Sequence, residues 1–385
     1  MKFKGTVTHL SQKGLGVVKN TENNLSYFVY GTWPGDIGEF EVMDKILNNK
    51  KFAYAKLTQL IQPSVHRQQP ACPYVSLEET SCTGCAWMIA DYTSQLEQKK
   101  NRFLYAMKRV GFEDQHFSIE SILPSERVYG YRNRCQVKTD GTILGFISEN
   151  SHNIAPIQDC IVLNDRCRKS LKDILNQLPH PAWQDSIDTQ QNWHFIEFDD
   201  DMQSDEIAIN QKRPFKQGNT LQNTHMRNWL QDKLAAHTAL GKVIELFCGS
   251  GNFTEIIAES TCTSIIAYEC EEHAIQALQQ KQLPKVTVQL SNLFKSFIWK
   301  ELQKTVTDAD TLILDPPRCG LKTHHSFFTA FSSLKTIYYI SCNPESFARD
   351  AWFFKQNGWI INDIQLIDLF PHTPHIEIMA EFRKN

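Results

Sequence analysis

The hydrophobic rhythm of the chain changes twice. From Lys2 to about Leu60, short β-favouring runs ("GTVTHL", "LGVV", "SYFVYG", "GEFEVM", "FAYAKL") are separated by turn signals at Gly14, "WPGD" and "NNKK". Short runs of this kind between Gly, Pro and Asn predict strands joined by tight turns, here a small β-barrel. From about Arg67 to Asn210 the pattern is mixed: a group of cysteines, a basic stretch of helical character ("YTSQLEQKKNRFLYAMKRVG"), then scattered strands as far as the acidic run "EFDDDMQSDE", Glu197 to Glu206. The remainder sets buried-strand candidates ("KVIELF", "SIIAYE", "VTVQL", "TLILD", "TIYYIS", "GWIINDIQLIDLF", "IEIMAEF") between helical patterns. That alternation predicts an α/β fold built on a doubly wound, mostly parallel sheet. Three parts are expected: residues 1–66 as the barrel, 67–210 as a mixed central domain and 211–385 as the sheet domain.

Composition narrows the class. With 385 residues, 41% of them hydrophobic, the chain can bury substantial cores. No run of about 18 apolar residues occurs and the N-terminus lacks an apolar signal core, so a cytoplasmic protein without membrane spans is expected. Its net charge of -3 hides local basic segments: residues 1–71 hold nine Lys/Arg against five Asp/Glu, and 99–138 hold nine against four. Such segments permit an RNA partner without requiring one. Eleven cysteines in a cytoplasmic chain point first to metal ligands or nucleophiles.

Three strand ends carry candidate chemistry. "VIELFCGSGNFT", Val243 to Thr254, runs a strand into Gly249-Ser250-Gly251, where a cofactor can approach the backbone, and the next strand ends in Glu269, placed to accept ribose hydroxyls. Asn292, after the third strand, can receive an adenine amino group. Thr254 stands where a dinucleotide fingerprint has its third glycine, which favours S-adenosylmethionine over a nicotinamide cofactor. "LILDPPRCGL" ends its strand in Asp315 and stiffens the following loop with two prolines, so that polar groups face a ligand. "YYISCNPESFARD" ends the fifth strand in Cys342, on the same carboxyl edge, where a thiol can meet a substrate lying next to the cofactor. Separately, Cys72, Cys82 and Cys85 follow a Cys-x9-Cys-x2-Cys spacing, with Cys160 as a fourth candidate. Four thiolates suit zinc or an iron–sulfur cluster, and spacing does not separate the two.

Together "ELFCGSGNFT", "LILDPPRCGL", "YYISCNPESFARD" and "DLFPHTPHIEIMAEF" resemble, in kind and order, the motifs of the S-adenosylmethionine-dependent RNA uracil-5-methyltransferases. The resemblance covers nearly the whole chain, because the N-terminal pattern is similar to the RNA-binding TRAM barrel of the ribosomal-RNA branch. It implies a class I methyltransferase sheet (Rossmann-like), with Cys342 as the nucleophile and Glu377 as the base that removes a proton. Gln217, Phe247, Asn252, Glu269, Asn292 and Asp315 fall on cofactor-binding positions, and a [4Fe-4S] cluster falls on Cys72, Cys82, Cys85 and Cys160. The chain departs from the family pattern at Lys216 and Gly218 of "FKQGN" and in the nine-residue first cysteine gap, usually five.

The implied activity is formation of 5-methyluridine in large-subunit ribosomal RNA by a monomer. Transfer RNA is the alternative substrate, and a non-catalytic RNA-binding protein is the alternative class. A cytosine-5-methyltransferase would use the same thiol but is disfavoured by "FPHTPHIE". The chemistry needs these residue types together: C5 of uracil becomes nucleophilic only when a thiolate adds at C6, and a base must then remove the C5 proton. His372 and His375 flank Glu377 as alternative bases. A base reached this way has to leave its stack, which accounts for a separate RNA-gripping part.

Overall fold

A computed structural model describes residues 1–43, 52–76, 81–113, 116–119, 121–148, 153–184, 192–203, 206–295, 297–306, 308–322 and 327–384. The chain forms two compact units, and it passes between them more than once: residues 1–99, 127–213 and 370–374 make the first, residues 100–126, 214–369 and 375–385 the second.

The first unit opens with β1 (Lys2–Leu10), β2 (Gly16–Lys19), β3 (Ser26–Val29), β4 (Ile37–Val42) and β5 (Phe52–Gln62), closed into a barrel in the order β1-β2-β3-β5-β4. Strand alternation sends Phe3, Val7, Val18, Tyr27, Val29, Phe40, Ala53 and Ala55 to the interior, where together they form the barrel core. Closure leaves no free sheet edge to manage. Helix α1 (Tyr92–Val110) begins in this unit and ends in the other.

An antiparallel sheet follows, β8-β7-β6-β9, built from β6 (Arg134–Thr139), β7 (Leu144–Ile147), β8 (Ile154–Pro156) and β9 (His194–Asp199). Gly145 lets β7 approach β8, since a Cβ there would lie 1.8 Å from the Ala155 carbonyl oxygen. Helix α2 (Asp165–Leu175) is capped by Asn164, whose side chain accepts from the Cys167 amide, and α3 (Pro181–Gln184) adds Trp183 to the core. Cys135 and Cys167 are buried in that core as small hydrophobes.

The second unit carries α4 (Thr220–Ala235), β10 (Lys242–Leu246), α5 (Thr254–Glu259), β11 (Ser264–Glu269), α6 (Glu272–Gln280), β12 (Val286–Leu290), α7 (Ile298–Thr305), β13 (Ala309–Leu314), α8 (Phe327–Ala330), β14 (Thr336–Ser341), α9 (Pro344–Gln356), β15 (Trp359–Ile367) and β16 (Glu377–Lys384). Among the described residues these form one seven-stranded sheet, β12-β11-β10-β13-β14-β16-β15. The first five strands of that order are parallel, and β16 runs antiparallel between β14 and β15. The expected doubly wound α/β sheet is therefore present, as is the barrel. Strand order reverses between β10 and β13, so the crevice outside their carboxyl ends is where ligands of such sheets bind. No helix among the described residues is long and apolar enough to cross a membrane.

One buried carboxylate ties the barrel turn to the chain beyond β5. Asp36, fully buried, accepts from the amides of Trp33 (2.7 Å) and Ser64 (2.9 Å) and pairs with the Arg67 guanidinium at 2.9 Å. Removing one member of a buried pair leaves the other charge uncompensated. Asp36→Ala should therefore lower unfolding free energy by about 3–5 kcal/mol, measured by urea titration of the first unfolding transition. A loss below about 1 kcal/mol would mean that Arg67 is rehydrated without strain.

Candidate active site

The reversal point is lined from the cofactor-side loops first. Beyond β10 the backbone turns through left-handed conformations at Phe247 (φ 65°), Gly249 (φ 54°) and Gly251 (φ 92°). At Gly251 a Cβ would meet the Leu278 side chain at 2.5 Å, so the turn seats tightly on α6. Glu269, the last residue of β11, accepts from the amides of Gly249 (3.0 Å), Cys270 (2.6 Å) and Glu271 (3.0 Å). A carboxylate offers about four acceptor sites, so three amides fix its orientation and leave capacity for a ligand hydroxyl. The Asn292 side chain accepts from the Phe294 amide at 3.0 Å, and the Phe294 ring meets that of Phe247 at 5.7 Å between centroids. Asn252 instead exchanges two amide hydrogen bonds with Asn223 of α4, both 2.9 Å. Gln217 lies ahead of α4 in a segment whose Phe215 carbonyl accepts from the Ser250 hydroxyl at 3.4 Å.

The substrate side is set by β13, β14 and β16. The β14–β16 register pairs Ser341 with Ile378, and one step further along it brings Cys342 beside Glu377. Asn343 directly after the cysteine caps α9, accepting from the amides of Glu345 and Ser346, with Pro344 opening the helix. This cap ends the strand sharply and holds Cys342 at the edge. The loop after β13 is clamped from α9: Asp350 accepts from the Leu321 amide (2.8 Å) and the Tyr339 hydroxyl (2.7 Å), and Arg349 donates to the Cys319 carbonyl (2.8 Å). Gly320 adopts φ 68°, and a Cβ there would sit 2.3 Å from an Asp350 carboxylate oxygen. The same loop presents Arg318, 3.3 Å from the His375 imidazole.

Acidic groups crowd this edge. Burial, with Glu269 nearby, pushes the Asp315 carboxyl up to about 7. Glu245, buried beneath the glycine turn and taking a 2.6 Å hydrogen bond from Thr254, is pushed up to about 8, chiefly by burial. Burial raises Glu377 well above the ordinary carboxyl range, Asp315 adds to the rise, and Arg318 opposes it. The Cys342 thiol is pushed up to about 12 by burial, then by Glu377 and Asp315, with Arg318 again opposing. The structure thus gathers Cys342, Glu377 and Asp315 in one electrostatic neighbourhood. Glu245 and Arg318 join them without having been singled out in the sequence, although Arg318 lies inside the "DPPRCGL" motif. His372 belongs to the first unit, where its backbone amide donates to the Gln95 side chain.

In the first unit Cys72, Cys82, Cys85 and Cys160 line a single pocket. Burial raises all four thiols, Cys82 to about 11, and the neighbouring sulfurs add to the rise for Cys82 and Cys85. No three of these sulfurs lie within 4.8 Å of one another, whereas bonds of about 2.3 Å to a tetrahedral zinc would put them about 3.8 Å apart.

A sheet of this topology with its ligand crevice defines an α/β methyltransferase fold. In fold the chain is similar to the Pyrococcus abyssi tRNA (uracil-54, C5)-methyltransferase, solved in complex with S-adenosyl-L-homocysteine, with TM-score 0.68 and 21% identity over 98% of this chain and 99% of that one. A family model described as tRNA (Uracil-5-)-methyltransferase matches residues 163–289 and 294–384, and the chain belongs to that family of S-adenosylmethionine-dependent RNA methyltransferases. An RNA methyltransferase of Nitrosomonas europaea is 56% identical over 384 residues, 100% of this chain and 97% of that protein. The 23S rRNA (uracil(1939)-C(5))-methyltransferase of Pectobacterium atrosepticum is 26% identical, over 98% of this chain and 92% of that protein.

Because only the thiolate reacts with alkylating agents, the raised Cys342 thiol has a measurable consequence. Iodoacetamide labelling of the Cys342 peptide, followed by mass spectrometry, should quicken about tenfold per pH unit from pH 7 to 10 without a plateau. A plateau reached below pH 9 would mean that the thiolate already exists in the free protein.

Proposed function

We propose that this protein converts uridine to 5-methyluridine in RNA, with Cys342 as nucleophile and Glu377 as the proton-removing base. The observation that carries the reading is the β14–β16 register, which sets a thiol and a buried carboxyl side by side at the ligand crevice. Glu269, oriented by three amides at the end of β11, suits a ribose, and Phe247, Asn292, Asp315, Asn252 and Gln217 complete the cofactor side. When bound, S-adenosylmethionine supplies an electrophilic methyl group carried on a positively charged sulfur. The crowd of raised acids around one guanidinium favours such a cation, and a cation there draws the carboxyls back towards their ionised forms.

Once its thiol proton has passed to solvent, Cys342 would form a bond from sulfur to C6 of uracil, and the electron pair displaced onto C5 would take the methyl group as its bond to the sulfonium breaks and leaves a neutral thioether. Glu377 removes the remaining C5 proton, the C5–C6 double bond re-forms, and the sulfur–C6 bond breaks to return the thiolate. Relatives named for 23S rRNA span nearly the whole chain, which favours large-subunit ribosomal RNA over transfer RNA. Mapping 5-methyluridine in both RNAs from cells lacking the protein decides between them. In the three-part reading, residues 1–66 form a TRAM-type barrel that grips RNA, residues 67–210 carry the cysteine pocket, and residues 211–385 carry the chemistry.

Two variants separate the catalytic roles. Cys342→Ala should abolish methylation and the covalent capture of 5-fluorouridine RNA. Glu377→Gln should add to uracil and transfer the methyl group but release product about 10²–10⁴-fold more slowly, so that a methylated protein–RNA adduct builds up on denaturing gels. Turnover of Glu377→Gln at the parent rate would remove Glu377 from the base role.

The cysteine pocket is proposed to hold a [4Fe-4S] cluster on Cys72, Cys82, Cys85 and Cys160, supported by the four cysteines lining one pocket and by the resemblance to the family. Anaerobically purified protein should contain about four iron atoms per chain and lose them in Cys82→Ser. Stoichiometric zinc without iron would contradict the assignment.

A further inference from the structure

The link between β15 and β16 is held by the first unit, although both strands belong to the second. Within that unit the backbone of three consecutive residues is caught at four points. Lys99, fully buried, donates from its ammonium to the Phe370 carbonyl at 3.0 Å. Tyr131 donates its hydroxyl to the Pro371 carbonyl at 3.2 Å. His372 is gripped on both sides: its amide donates to the Gln95 side chain (2.9 Å) and its carbonyl accepts from the Trp87 amide (3.0 Å).

Removing the Lys99 ammonium takes this donor from the Phe370 carbonyl, so its substitution should loosen the loop. His372 itself adopts φ 66°, a left-handed conformation that a residue with a side chain holds only when its surroundings over-determine it. Its ring stacks on Tyr129 at 5.0 Å. Phe370 packs into the hydrophobic cluster that includes Cys72, Cys85 and Cys160. Beyond Pro374, the last residue of this segment, only His375 and Ile376 precede Glu377.

We infer that Lys99, Gln95 and Tyr131 are positioning residues for the proton-removal step, acting on Glu377 through the Phe370–Pro374 backbone. The inference rests on the reading of Glu377 as the base. A base misplaced by about 1 Å loses on the order of 10²-fold in rate, whereas addition of Cys342 and methyl transfer depend on β14 and the glycine turn, which this link does not carry.

The test is single-turnover reaction of Lys99→Met, Tyr131→Phe and the rescue variant Lys99→Arg with substrate RNA, following adduct formation and adduct release separately. Lys99→Met should form the methylated adduct at near the parent rate and release it at least tenfold more slowly. Tyr131→Phe, which keeps the packing, should slow release less, and Lys99→Arg should restore it. Glu377→Gln runs alongside. If that variant builds up no adduct, the reading of Glu377 falls. If it does build up adduct while Lys99→Met and Tyr131→Phe both release at the parent rate, or lose adduct formation and release in equal proportion, the inference alone is overturned.

Discussion

The second unit is organised around buried acids that outnumber their counter-charges. Asp315, Glu245 and Glu377 are each raised chiefly by burial, and Arg318 is the cation that offsets both Glu377 and Cys342. Carboxyls held this way are protonated more than usual at neutral pH, because the low-dielectric site disfavours their charged forms. The arrangement costs stability, and it persists because surrounding elements leave it no alternative. The Asp350 clamp and two prolines fix the Asp315 loop, the Asn343 cap stops β14 ahead of Cys342, and Glu377 opens β16 between β14 and β15. A further positive charge brought to such a site would draw its carboxyls back towards their ionised forms.

That constraint explains why β16 lies between β14 and β15. Were β15 beside β14, the last strand would occupy the edge and a whole strand would separate its first residue from Cys342. The antiparallel insertion places the start of β16 at the carboxyl end of β14, on the crevice side. A thiol from the end of one strand and a carboxyl from the beginning of its neighbour then lie side by side without a long loop.

Much of this was legible in the sequence, for physical reasons that also set its limits. "TIYYIS" is a continuous apolar run because β14 is covered on both faces, and all six residues are buried. The barrel strands show as short alternating runs because one face of each packs inward. Partner choice was not legible: periodicity tells which face is buried but not that β16 separates β14 from β15. Glu245 was hidden inside an apolar strand, "VIEL", where a carboxyl is unexpected. The amide exchange of Asn252 with Asn223 joins residues 29 positions apart, and no local signal announces it. "DLFPHTPHIE" looked like one continuous motif, yet its middle five residues belong to the first unit and its ends to the second.

This last division changes how the motif is understood. A stretch whose only task was to deliver Glu377 could be a short turn between two antiparallel neighbours, as hairpins usually are. Here the turn is drawn into a buried network with Lys99, Gln95, Trp87 and Tyr131, at the expense of a desolvated ammonium and a left-handed histidine. Trp87 lies two residues after Cys85, and Phe370 packs against the same buried group, Met88, Tyr131 and Val162, as Cys72, Cys85 and Cys160. The segment that precedes Glu377 is thus built into the core of one unit while the strand it leads to is built into the sheet of the other.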